Sequence, residues 1–270
     1  MDDDFAFPKG TLMAGKRGLI MGVANRNSIA FRIAAQLAAQ GAELAFAYME
    51  MNERRVRPLG EGLGVKVFTT FDAASDESME AAFAAVESAF GGLDFLVHAI
   101  AFAGRDQISG SFVDNCTRAG FAQALDISAY SFVDAARRAA RLMPTGGAMI
   151  TLTYLGSERA IPNYNTMGVA KAALEAATRY IARDLGPRGI RVNAISAGAM
   201  RTLSLAGISG GRGMLAEGRR LSAMKEDTSI EGVAGCALWL LSDLGRSTTG
   251  EVVHVDAGFH MMGMSEGEEG

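Results

Sequence analysis

Between residues 17 and 256, short apolar runs alternate with longer stretches of helical period, and this alternation limits the fold more than any other feature. The runs at 17–21, 43–48, 66–70, 93–98, 148–153, 191–195 and 252–255 are apolar almost throughout, as strands buried on both faces are. Helical patterns fall between them at 28–40, 53–62, 77–90, 118–141, 165–185 and 230–242. Repeated strand–helix–strand units imply right-handed crossovers, so the expected fold is α/β: a single-domain, Rossmann-like, doubly wound parallel sheet of about seven strands. No linker or internal repeat divides residues 1–270, and a 49% hydrophobic composition can fill one core of that size. Ligands of such sheets bind outside the carboxyl ends of the strands, at the switch point. The stretch 199–228 (AMRTLSLAGISGGRGMLAEGRRLSAMKEDT) interrupts the alternation on that side. It is read as a substrate-binding lid, with an ordered helical connection of no gating role as the alternative.

Charge and cysteine usage remove several function classes. A formal net charge of -4 argues against a nucleic-acid groove, which needs a basic stripe. Cys116 and Cys236 are far apart and suggest no disulfide framework, and His98, His254 and His260 have no metal-ligand spacing, so no metal is expected. The start, MDDDFAFPKG, is acidic without an apolar h-region, and no apolar run is long enough to span a bilayer. A cytoplasmic protein is expected.

The chemistry concentrates in IPNYNTMGVAKAALEA, where Tyr164 and Lys171 stand seven positions apart. Seven residues are nearly two helical turns, so both side chains can share a face. A phenol beside an ammonium is a proton donor whose ionised form is electrostatically favoured, which suits a reaction that develops negative charge on a carbonyl oxygen. A core tyrosine and a surface lysine would show the same spacing. After the first strand the chain reads GVANRNSIAFRIAAQ, small and polar residues leading into a helix whose N-terminus could receive a pyrophosphate. The full Gly-x-Gly-x-x-Gly fingerprint is absent, and Ser28 has an N-cap reading beside the cofactor one. Glu50, after the second strand, would repel the extra phosphate of NADPH and so favours NADH; Arg54 and Arg55, one turn on, could admit NADPH. Asp72 could accept a hydrogen bond from an adenine amino group, or be a turn residue.

These residues carry a resemblance. From about residue 15 to 264 the chain resembles the bacterial enoyl-acyl carrier protein reductases of the short-chain dehydrogenase/reductase superfamily. The segments concerned are GVANRNSIA, GAELAFAY, VHAIAFA, LDISAYSF, TYLGSERAIPNYNTMGVAKAALEA, GIRVNAISAGAMRTL and GEVVHVDAGF. Most of the superfamily has its catalytic tyrosine four residues before the lysine, where this chain has Met167. The longer Tyr164–Lys171 spacing, with a second tyrosine at Tyr154, marks the enoyl reductase branch. The resemblance implies hydride transfer from NADH, with NADPH as an alternative, to C3 of a trans-2-enoyl thioester on acyl carrier protein, the final reduction of the fatty-acid elongation cycle. It implies Tyr154, Tyr164 and Lys171 as catalytic residues. Tyr164 would bond the enolate oxygen, and Lys171 would bind the nicotinamide ribose and add positive charge. It places Gly22, Ser28, Ile29, Met49, Asp72, Ala73, Ile100, Lys171, Met200, Arg201, Thr202 and Leu203 on the cofactor. It places Phe102, Ala103, Tyr154, Tyr164 and Met167 on the substrate, with Ile208 closing an apolar acyl slot.

Some positions depart from the family pattern. Ala101 stands for a usual glycine, Ala199 for a usual proline, and Ser222 to Asp227 (SAMKED) for a stretch usually carrying a proline and two arginines. A carbonyl reductase and a non-catalytic nucleotide-binding protein are the competing readings; Met167 argues against the first, and the Tyr164–Lys171 pair against the second. The resemblance further implies a homotetramer, with residues 121–142 and 166–185 supplying a shared helical interface. An acidic carrier protein would need a local basic patch, for which Arg201, Arg212, Arg219, Arg220 and Lys225 are the candidates.

Overall fold

The computed structural model describes residues 7–202, 205, 207 and 210–263. Seven parallel strands form one sheet in the order β3-β2-β1-β4-β5-β6-β7. They are β1 Arg17–Met21, β2 Glu43–Tyr48, β3 Val67–Thr70, β4 Phe95–His98, β5 Gly147–Thr153, β6 Ile190–Ala197 and β7 Val252–Val255. The order reverses between β1 and β4, which pair directly with Met21 opposite His98. That is the doubly wound sheet expected from the sequence, and its switch point lies between these two strands.

The central strands are largely apolar because successive side chains feed two different cores. Leu19, Met21, Ala45, Ala47, Leu96 and Met149 face one cluster. Their neighbours Ile20, Leu44, Phe46, Tyr48, Val97 and Ile150 face the other. Period-2 side-chain alternation puts both sets out of water at once. One face is covered by α1 Ile29–Ala39, α2 Glu53–Gly62 and a late helix, Ile230–Leu241. The opposite face is covered by α3 Asp76–Phe90, by a helix at Ser131–Arg141 and by a long helix at Asn165–Leu185.

One helical expectation needs correction. The stretch 118–141 is helical throughout but is interrupted by a π turn, giving α5 Arg118–Leu125, the π turn at Asp126–Tyr130 and α6 Ser131–Arg141, and it is preceded by a short α4 at Phe112–Asn115. The lid stretch contains α8 Gly211–Leu221, between α7 Asn165–Leu185 and α9 Ile230–Leu241, the helical element that the alternative reading of this stretch allowed. Among the described residues no helix is long and apolar enough to cross a membrane.

Candidate active site

The end of β5 and the start of α7 build the centre of the site. Tyr164 is the N-cap of α7, with φ -82° and ψ -32°. It lies between Asn163 (φ 64°) and Asn165 (φ 41°), two left-handed residues of the type that tolerates this region. Both are tied to one loop. Asn163 Oδ1 accepts the Gly110 N–H at 2.8 Å, and Asn165 Nδ2 donates to the Gly110 carbonyl at 3.1 Å. These bonds turn the Tyr164 side chain inward, and it is buried.

Its ring lies on two glycines. A Cβ on Gly156 would stand 2.3 Å from Tyr164 Cδ1, and a Cβ on Gly168 would stand 2.5 Å from the Gly156 carbonyl oxygen. Tyr154, directly after β5, meets the Tyr164 ring edge-on with centroids 4.9 Å apart. Lys171 reaches the same strand end from α7, where its Nζ donates to the Leu152 carbonyl at 2.7 Å. The structure thus brings Tyr154 against Tyr164, and Lys171 reaches the end of the same strand.

Burial corrects the electrostatic expectation. The Tyr164 phenol is driven up from its ordinary value, first by desolvation, then by Tyr154 and by Glu175. Tyr154 is pushed up to about 12 by burial and by Asp256. Lys171 is lowered to about 8 because burial outweighs the charge of Glu175, which raises it. Spacing had suggested a proton donor whose ionised form is favoured by the lysine; in the folded chain desolvation is the largest effect and favours the neutral phenol.

The apolar slot is only partly as expected. Tyr164 and Met167 cluster with Ile108, Ala124 and Ala170, and Ala103, Tyr154 and Ile161 pack against them. The Phe102 ring stands outside this cluster, 47% exposed. Its backbone is fixed instead: the Phe102 N–H donates to Ser128 Oγ at 2.9 Å, and that hydroxyl donates to the Phe102 carbonyl at 3.1 Å. Ser128 lies in the π turn, a backbone irregularity often found at functional sites. The segment LDISAYSF pointed to this place, but nothing in its pattern singles out the serine.

The cofactor residues lie along the carboxyl ends of the strands. Gly22 follows β1 with φ 96°, and a Cβ there would meet the Ala99 carbonyl at 2.2 Å, so glycine is required by the close approach of the chain leaving β4. Ser28 is the N-cap of α1, but its Oγ donates to the Asn25 carbonyl at 2.7 Å and makes no cap bond. No acidic residue stands in that first turn, which begins at Ile29. Like α2, α6, α7 and α8, α1 makes no side-chain cap bond, and its first N–H groups lie at the switch point. This donor set fits a pyrophosphate. Asp72 accepts the Ala74 N–H at 2.9 Å in a turn after β3, beside Ala73. Met49 follows β2, is 54% exposed and starts a 3₁₀ turn. Ile100 packs on the core after β4. Met200 is buried, Arg201 is exposed and Thr202 Oγ1 accepts the Leu205 N–H at 3.3 Å. Leu203, Ile208 and the Arg212 side chain lie outside the described residues.

Beyond β6, a cleft runs under the lid between Tyr154, Ala199, Met214, Leu215, Asp256 and Phe259. Of the lid cations, Arg219 pairs with Asp227 at 3.8 Å and Arg220 with Glu217 at 2.6 Å. Lys225 donates to the Arg220 carbonyl at 3.3 Å. Ala101 is exposed.

Comparison with known proteins agrees with this geometry. A family model described as Enoyl-(Acyl carrier protein) reductase matches residues 22–260. The chain belongs to that family. Among its relatives, Enoyl-[acyl-carrier-protein] reductase [NADH] 2 of Rhizobium meliloti is 52% identical over 254 residues, 94% of each chain. The enoyl-[acyl-carrier-protein] reductase [NADH] FabI of Escherichia coli is 46% identical, covering 94% of this chain and 97% of its own. The crystal structure of the Anaplasma phagocytophilum reductase in complex with NAD superposes with a TM-score of 0.92 at 47% identity, covering 96% of this chain and 99% of its own. The Bacillus cereus reductase with NADP+ and indole naphthyridinone gives a TM-score of 0.91 at 46% identity, with 94% and 99% covered.

Proposed function

We infer that this chain is an NADH-dependent enoyl-[acyl-carrier-protein] reductase, acting on a trans-2-enoyl thioester carried by acyl carrier protein. The observation that carries the reading is the buried Tyr164 meeting the half-buried Tyr154 at the carboxyl end of β5, the strand end that Lys171 also reaches through the Leu152 carbonyl. The bound nicotinamide would supply the hydride, delivered to C3 of the enoyl group. Tyr164, held neutral by burial, donates a hydrogen bond to the thioester oxygen as enolate charge develops there. One well-placed donor of this kind is worth roughly 3–4 kcal/mol in the transition state. Lys171 would bind the nicotinamide ribose hydroxyls and add positive charge nearby. Tyr154, Met167 and Ala103 line the acyl slot, with Phe102 presenting backbone rather than ring. Protonation at C2 completes the reduction.

Gly22, Ser28 and Ile29 would hold the pyrophosphate at the first turn of α1. Met49, Asp72 and Ala73 would hold the adenosine, and Ile100, Met200, Arg201 and Thr202, with Leu203 by the resemblance alone, would hold the rest of the dinucleotide. NADH is the preferred cofactor, with NADPH the alternative tested beside it. Residues 1–270 act as one domain, with 199–228 as its substrate loop. The enzyme works in the cytoplasm as a homotetramer. Tyr130 and Val133 in the π turn and α6, with Val169 and Tyr180 on α7, are exposed apolar side chains suited to that interface. Carrier-protein docking falls to Arg201 and the lid cations, several of which already have acidic neighbours.

Loss of nicotinamide absorbance with a medium-chain enoyl thioester, run in parallel with NADH and NADPH, tests the reading. Turnover faster with NADH is expected. Dinucleotide binding without turnover on any enoyl thioester would refute it. A monomer in light scattering at micromolar concentration would refute the assembly.

A further inference from the structure

Three consecutive residues leaving β5 each engage a different part of α7. The Leu152 carbonyl accepts Lys171 Nζ at 2.7 Å, the Thr153 hydroxyl donates to Glu175 Oε1 at 2.5 Å, and the Tyr154 ring meets Tyr164. Lys171 and Glu175 are four positions apart in α7, so they share one face. Glu175 is a carboxylate only 7% exposed, and Thr153 beside it is 4% exposed. A carboxylate so deeply buried carries a large desolvation cost unless it is hydrogen-bonded and near an opposite charge. Thr153 supplies the hydrogen bond, and Lys171, one turn away, is the cation on its own helix face.

We propose that Glu175 is the buried counter-charge of Lys171, a positioning residue that keeps the lysine cationic where it serves the cofactor side of the site. This rests on the reading of Lys171 given above. The effect on the lysine follows in sign: burial lowers it to about 8, and Glu175 is the opposing influence that raises it. Other titratable groups face the pair. His98 on β4 is held neutral, with its own value lowered to about 3. Tyr154 and Tyr164 are raised by burial, and Asp256, beyond β7, acts on Tyr154. None of them is a second buried anion that could replace Glu175 on the face of α7.

The test is NADH affinity, read by nucleotide fluorescence from about pH 6 to about pH 10, a window that spans the ionisation of a buried lysine. It uses the full chain, with Glu175→Gln, Glu175→Asp, Thr153→Val and Lys171→Met. The parent should lose affinity as pH rises through the ionisation of Lys171. In Glu175→Gln that loss should move to lower pH by about one unit, so that affinity near pH 8 falls roughly fivefold while the acid plateau matches the parent. Glu175→Asp should recover part of the shift. Thr153→Val removes only the hydroxyl that holds the carboxylate. It should shift the profile in the same direction by less, and it serves if the glutamine variant does not fold. Parental profiles in folded Glu175→Gln and Thr153→Val would overturn the proposal. A parental profile in Lys171→Met would overturn the role of Lys171 itself, and the counter-charge with it.

Discussion

Gly156→Ala is the sharpest single perturbation of the site. The new methyl would stand 2.3 Å from Tyr164 Cδ1 and 2.7 Å from Cε1. Carbon atoms rest at about 3.5–4.0 Å, so the ring must move by roughly 1 Å or more. It cannot move freely, because Tyr154 lies edge-on at 4.9 Å and Gly168 fits against the Gly156 carbonyl. The backbone at Gly156 is not in the left-handed region, so the contact alone supplies the cost. Overpacking of this kind destabilises by about 1–3 kcal/mol. A displacement of about 1 Å at a reacting group can cost about 10²-fold in rate. The expected outcome is a folded protein with a slightly lowered Tm, near-parental NADH affinity and kcat/KM for an enoyl thioester down about a hundredfold. NADH affinity is spared because α1 and Gly22 lie across the switch point from the mutated turn. A variant that retains kcat/KM within about threefold of the parent would show that the Tyr164 ring position does not govern the reaction, and the argument from the glycine seat would fail.

Other perturbations separate the remaining roles. Tyr164→Phe keeps the ring and its packing but removes the donor; kcat should fall about 10²- to 10³-fold in the absorbance assay with NADH affinity unchanged. Ser128→Ala leaves the Phe102 N–H and carbonyl without their hydroxyl partner. It should destabilise by about 1–3 kcal/mol in denaturant unfolding and raise KM for the thioester more than for NADH. His98 gives a pH-dependent stability. Its folded value of about 3 lies below its unfolded one, so as pH falls from about 6.5 towards 3 the unfolded chain takes up a proton that the native chain refuses. Stability should therefore fall by up to roughly 4 kcal/mol across that window, and His98→Gln, measured by the same urea series, should flatten the fall.

The sheet was legible because both of its cores leave the same trace, uninterrupted apolar runs spaced by helical periods. The Tyr164–Lys171 pair was legible because a fixed interval along one helix survives in one dimension. Gly156, Gly168 and Ser128 were not, since each owes its role to a close approach between elements distant in space from its own periodic neighbours. Ser128 reaches Phe102 across 26 residues, and Thr153 reaches Glu175 across 22. The helical element Gly211–Leu221 was open as an alternative but its bounds were not, because its glycines weaken the periodic signal, and the π turn leaves no mark in a pattern that stays helical on either side.

The direction of the phenol's ionisation shows most plainly what spacing cannot convey. An interval of seven residues reports that a charge can be near; it carries no term for the water removed when Gly156 and Gly168 let the ring sink in. Once buried, Tyr164 is more valuable neutral, because a neutral phenol can donate to an oxygen whose charge appears only in the transition state. A phenolate would repel that oxygen. The same burial threatens Lys171, which must stay charged to help, and the fold answers with Glu175 one turn away. Burial and counter-charge are therefore opposed at Lys171 but act together at Tyr164, where Glu175 also raises the phenol. One carboxylate, held by the Thr153 hydroxyl, thus favours the protonated form of both groups that the reaction needs protonated.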